Sequence, residues 1–95
     1  MENIRLGKPY KVSEHKHKQY NKHYEIPIEK CVVVPVKIYG DQISCDLRWK
    51  DASGETKQRE DLMFSSGYLQ PLDAMADFLL YELWEDYNKT VSSSL

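Results

Sequence analysis

Cysteine is scarce in this chain of 95 residues, with only Cys31 and Cys45 present, and no CxxC pattern accompanies them. That excludes a structural zinc site of the usual kind. Glycine is scarce too, at four residues. No glycine-rich phosphate loop, nucleophile elbow or HExxH pattern is found. Ser65 and Ser66 are far in sequence from any histidine. The paired carboxylates Glu60-Asp61 and Glu85-Asp86 are immediate neighbours. Such neighbours point to opposite faces of a strand, or about 100° apart on a helix, so neither is an acid/base pair. We therefore expect no enzyme, and no cofactor or metal. Long apolar runs are absent as well, so no segment is expected to span a membrane. Met1–Arg5 lacks the apolar core of a signal peptide, and a cytoplasmic or equivalent compartment is expected.

What is present centres on residues 31–50, which read as one β-hairpin. With Gly40-Asp41 as a two-residue turn, position i faces position 81 − i. Ile38 then meets Ile43, Val36 meets Cys45, Val34 meets Leu47 and Val32 meets Trp49. These same-face apolar pairs predict both register and core face. Gly40 in the first turn position suits a type II′ turn. Cys45 is placed on the core face and Cys31 at the far strand end on the other face. Buried, reduced thiols are expected rather than a disulfide. Pro35 lacks an N–H, so its strand should lack a neighbour on that side or carry a bulge.

Around the hairpin, a short strand is predicted at Pro9–Val12. Residues 14–23 show no apolar periodicity and read as a loop, functional or mobile because of its length. Tyr24, Ile26 and Ile28 alternate as an extended approach to the hairpin. A polar strand, either an edge or solvated on both faces, is predicted over Glu55–Arg59 and a short extended stretch at Tyr68–Leu72. Asp73 is the predicted N-cap of a helix reaching Lys89, with a frayed tail from Thr90. Leu72, Met75, Ala76, Leu79, Leu80, Leu83, Trp84 and Tyr87 share one wide apolar face, so Leu79→Asp or Leu83→Asp is expected to unfold the protein. The chain is thus a single domain: 1–23 basic, 24–72 sheet, 73–89 helix and 90–95 tail.

The turn Gly40-Asp41, the run Leu47-Arg48-Trp49-Lys50-Asp51 into Ser53-Gly54-Glu55, then Asp61-Leu62 and Leu69-Gln70-Pro71-Leu72 resemble an SH3-like small barrel of the Tudor or KOW type. The resemblance covers residues 4–72 and implies a binding module without catalysis. The first connection is longer than in that pattern, and the aromatic cage of Tudor domains is not evident. Taken together, the expected class is α+β, a strongly bent antiparallel sheet or SH3-like barrel capped by one C-terminal helix.

Two surfaces compete for function. Residues 1–23 hold six basic and two acidic side chains, a net +4, and the remainder holds seven basic and thirteen acidic, a net −6, together the −2 of the whole chain. Lys11, Lys16, Lys18, Tyr20 and Lys22 combine cations with an aromatic, as a nucleic-acid surface would. The acidic body and a pI of 5.9 argue against it. His15 and His17 form a His-x-His pair with His23 six residues on, but the interspersed lysines repel a cation. The other surface is aromatic. Phe78 and Tyr81 fall outside the main helix stripe beside Asp77, Glu82 and Glu85, while Tyr39 and Arg48 share a mixed hairpin face with Lys37. Exposed aromatics ringed by charge mark partner contacts. The expectation is a protein-interaction module, an adaptor or regulatory subunit binding another protein through Phe78, Tyr81, Tyr39 and Arg48, with nucleic-acid binding as the alternative. A monomer, or a homodimer through the helix, fits either reading.

Overall fold

The turn at Gly40-Asp41 forms as its sequence requires. Gly40 takes φ 66° while Asp41 keeps an ordinary backbone, the pattern of a type II′ turn. The computed structural model describes residues 4–93. In it the turn joins β2 (Val32–Tyr39) to β3 (Gln42–Lys50), preceded by β1 (Tyr10–Val12) and α1 (His17–Tyr24). After the hairpin come β4 (Thr56–Ser65), β5 (Leu69–Pro71) and α2 (Phe78–Ser93). The strands form one antiparallel sheet in the order β4-β3-β2-β1-β5. β4 and β5 are its two edges, so the sheet stays open and barrel closure is not observed; the fold is α+β.

The predicted register holds only next to the turn. Ile38 pairs with Ile43, but beyond Pro35 the partners slip by one: Pro35 faces Cys45, Val33 faces Leu47 and Val32 faces Arg48. Val36 is the extra residue of a β-bulge, where the amide-less Pro35 interrupts the ladder. The Pro35 carbonyl instead accepts the Gly7 amide at 2.8 Å. The slip sends alternate valines to opposite faces. Val33 joins Ile43, Cys45, Leu47, Trp49, Leu62 and Phe64 in the main core. Val32 and Val34 face the other way and pack with Leu83 and Tyr87 of α2. Four successive apolar residues leave the pleat ambiguous, and the bulge decides it.

The main core lies under residues 14–30, which are ordered rather than a loop. A 3₁₀ turn at Glu14–Lys16 runs into α1, whose Tyr20 and Tyr24 lie one turn apart. Tyr20 is 8% exposed and packs on Phe64 with ring centres 4.8 Å apart. Glu25 ends α1 in the left-handed region at φ 59°, its amide bonded to the Asn21 carbonyl. Ile26 and Ile28 are buried, but through a turn and a second 3₁₀ segment, Ile28–Lys30, not an extended strand. The Asn21 side chain ties the two pieces together, accepting the Ile28 amide at 2.6 Å and donating to Glu29 at 3.0 Å.

A second bulge shapes the edge strand. Between Cys45 and Leu47 the β3–β4 register shifts by one residue, and Asp61 adopts φ 59° there. Aspartate tolerates that conformation better than most side chains. β4 is one strand of 10 residues, polar and exposed from Thr56 to Asp61, then anchored by Leu62 and Phe64. Its lead-in is tightened by Asp51, whose Oδ1 accepts from Ser53 Oγ and from the amides of Ser53 and Glu55. Those bonds, the Ser53 hydroxyl first, hold the Asp51 carboxyl below its ordinary range.

α2 begins later than Asp73. Residues 73–77 form a turn in which the Asp73 carbonyl accepts the amides of Ala76 and Asp77, and Asp73 Oδ1 accepts the Met75 amide. The helix proper starts at Phe78 and continues to Ser93, past the expected end at Lys89; residues 94–95 lie outside the described residues. Leu83 and Tyr87 are buried against Val32 and Val34, with Leu72, Leu80 and Trp84 packed at the margin. Leu79 is 73% exposed, which overturns its assignment to the core and the unfolding expected of Leu79→Asp.

Candidate functional site

The late start of α2 determines what its first turn presents. The turn at 73–77 holds Met75 away from the sheet, and Phe78 and Leu79 follow on the uncovered side of the helix. Met75 is 93% exposed, Phe78 62% and Leu79 73%. Met75 precedes Phe78 by three positions and Leu79 by four, so five consecutive positions expose three large apolar side chains at the start of α2. Three large apolar side chains in one patch are the kind of exposure that single scattered leucines are not. A groove of about 890 Å3 runs beside them, between α2 and a wall that includes Glu29, Lys30 and Lys50. Leu80, Glu82, Leu83, Glu85, Asp86 and Lys89 of α2 also line it.

The four residues singled out for partner binding are dispersed. Phe78 is in the patch. Tyr81 is half-buried, with its ring edge-on to Trp84 at 5.2 Å, and faces a separate cleft lined by Arg5, Lys8 and Pro71. Tyr39 is 52% exposed at the hairpin tip, with the Lys37 ammonium over its ring at 5.2 Å. Arg48 lies under α2, donating to Gln58 at 3.0 Å and stacked 5.6 Å from the Tyr87 ring. Tyr39 and Arg48 do share a sheet face, as the mixed hairpin face requires. The bulge at Val36, however, moves Val33 and Pro35 off that face into the core side and brings Val32 and Val34 onto it. Met75 and Leu79, absent from the residues expected to bind, complete the patch with Phe78. Their signal was an apolar helix face wider than one pair of strands can cover.

The five residues of the basic segment are divided as well. Lys11 pairs with Asp77 at 3.2 Å, joining β1 to the start of α2. The Lys16 ammonium sits 4.5 Å over the Tyr68 ring. Tyr20 is enclosed between Phe64, Tyr24 and Tyr68, with no open ring face for a base. Lys18 and Lys22 are exposed on α1. The histidines diverge: His17 Nε2 donates to the Val12 carbonyl at 2.7 Å, His15 lies edge-on to Tyr68 and His23 edge-on to Tyr24. Among the described residues no three His, Cys, Asp or Glu side chains converge as metal ligands would.

Both thiols are buried and free. Burial, aided by the charge of Glu29 for Cys31 and of Asp46 for Cys45, pushes each up to about 12. A thiol so protonated is a poor nucleophile. Tyr24 is pushed above its ordinary value by burial, against the bond its hydroxyl donates to the Met63 carbonyl at 2.7 Å. Among the described residues no helix is long and apolar enough to cross a membrane. No protein-family model matches the chain, and comparison with curated proteins and with solved structures gives no match.

Proposed function

We propose that this chain is a non-catalytic protein-interaction module, an adaptor or regulatory subunit, that docks a partner protein on the start of α2. The observation that carries the reading is the patch of Met75, Phe78 and Leu79 beside the α2 groove. Burying those side chains against a partner recovers the apolar burial that the fold itself leaves unused, at roughly 25 cal/mol per Å2. The strand order keeps that of a small-barrel type of binding module, with a short β1, the β2–β3 hairpin, a polar β4 and a short β5, although the sheet is open and the first connection is longer than in that pattern. Nucleic-acid binding is the weaker reading, because only Lys18 and Lys22 of its five residues are exposed and uncommitted to another group among those described above.

The test is capture of partners from lysate with and without nuclease treatment, at about 50 and about 200 mM salt. Phe78→Ser with Leu79→Ser is expected to abolish capture of a stoichiometric protein. Lys18→Glu with Lys22→Glu is expected to leave it intact. Loss with the lysine pair, together with recovery of nucleic acid only at low salt, would reverse the ranking.

A further inference from the structure

The charge around the patch selects the partner, and this inference rests on the docking reading above. From residue 73 to residue 90, α2 and its lead-in turn carry Asp73, Asp77, Glu82, Glu85 and Asp86 against Lys89 alone. Lys11 neutralises Asp77 at 3.2 Å. Among the described residues no ion pair reaches Glu82, Glu85 or Asp86. These three carboxylates line the groove with Leu79, and with Glu29 and Asp77 they outnumber the lysines Lys30, Lys50 and Lys89 in its lining, so the groove is net acidic. A second copy of this chain would bring two such acidic helices together, and like charges facing each other across an interface are unfavourable.

The groove also selects the partner's conformation. Its walls are side chains of α2 and of the segments ending at Lys30 and Lys50. The free backbone edges of the sheet belong to β4 and β5. An added strand needs such an edge for its hydrogen bonds, whereas a helix satisfies its backbone internally and needs only an apolar seam. We infer that the groove takes an amphipathic α-helix of a partner protein, its apolar stripe on Phe78 and Leu79 and its flank of Lys or Arg against Glu82, Glu85 and Asp86. α2 has 16 residues. A partner helix of about four turns therefore matches its length.

Three fluorescein-labelled peptides of about 16 residues test this against the full chain by anisotropy. One is a leucine–lysine amphipathic helix, the second has glutamate in place of lysine, and the third is a scrambled leucine–lysine sequence without a stripe. The first is expected to bind at least about tenfold tighter than either of the others. Phe78→Ser and Leu79→Ser, at exposed positions that leave folding intact, should each weaken it about tenfold. Glu82→Gln with Glu85→Gln should weaken it about fivefold and flatten its dependence on salt. Equal binding of the glutamate or scrambled peptide, or binding that survives Leu79→Ser, overturns the inference. So does sedimentation of the free chain as a dimer that Phe78→Ser dissociates. If no peptide binds while lysate capture still depends on Phe78 and Leu79, the helix inference fails and the interaction reading stands. If that capture is also lost, both fail.

Discussion

Tyr87 is buried between α2 and the sheet, and its hydroxyl donates to Asp46 Oδ2 at 2.6 Å. That bond joins the helix to the residue where the β3–β4 ladder shifts register. Tyr87→Phe keeps the ring packing and removes the donor from a half-buried carboxylate, so it should cost about 1.5 kcal/mol in denaturant unfolding. Burial first, then the bond to Asp46 and its charge, raise the Tyr87 phenol above the ordinary value of 10.0. The folded protein therefore holds this proton where the unfolded chain has released it. The stabilisation is complete below about pH 10 and is lost as the pH rises beyond it. Wild type should lose stability more steeply than Tyr87→Phe between pH 9 and 11, on the order of one unit either side of that ordinary value; parallel curves would contradict the assignment. The thiols give a second residue-scale expectation. With both pushed to about 12, the native protein should resist a thiol reagent at neutral pH, and its two cysteines should react once denaturant is added. Burial of the cysteines was legible from residue type. The burial of Tyr20 was not, because its place in the core depends on α1, and only its spacing from Tyr24 hints at that helix.

At the scale of elements, the two ends of the apolar face of α2 are energetically distinct. Leu83 is packed on Val32 and Val34, and Leu79 projects from the other margin. Leu83→Ala should lower stability by about 2–4 kcal/mol, while Leu79→Ala should change it by less than about 0.5 kcal/mol. Thermal melts of the two variants check both, and equal losses would show that Leu79 is covered in solution. The helix itself was legible from periodicity, but how much of its face the sheet covers was not, since that depends on where β2 and β3 end. The hairpin teaches the same point differently. Gly40, Asp41 and the Ile38–Ile43 pair were readable because turn chemistry acts locally. Beyond Pro35, Val32, Val33 and Val34 are apolar on both faces, so alternation carries no information about register. The prolyl residue was the remaining signal, and a bulge did form beside it. The polar half of β4 was readable as a strand, but not whether it was an edge or solvated on both faces; it is an edge. Its exposed charges and its bulge at Asp61 also guard that edge against pairing with another strand.

For the whole molecule, the two apolar clusters on opposite faces of one sheet are the organising feature. The main cluster is enclosed by α1 and the following 3₁₀ segment, and the smaller one is covered by α2 with Leu72 at its margin. The N-terminal segment straps the smaller layer down. Trp84 Nε1 donates to the Gly7 carbonyl at 2.9 Å, Lys11 holds Asp77, and the Leu72 amide reaches the Pro9 carbonyl at 3.2 Å. The basic N-terminal segment meets the acidic lead-in of α2 through Lys11. A layer held by few buried side chains and a strap opens at lower free energy than the layer that contains the sheet core. Trp84→Phe removes the bond to Gly7 while keeping an aromatic ring. Hydrogen exchange should then quicken in residues 5–9 and 78–90, while the amides of Val33, Cys45 and Leu47 stay as protected as before. Uniform acceleration across all these sites would mean that both layers unfold as one cooperative unit. Selective opening would instead place the docking patch on the less stable layer, where covering Phe78 and Leu79 with a partner would also tighten the hold of α2 on the sheet.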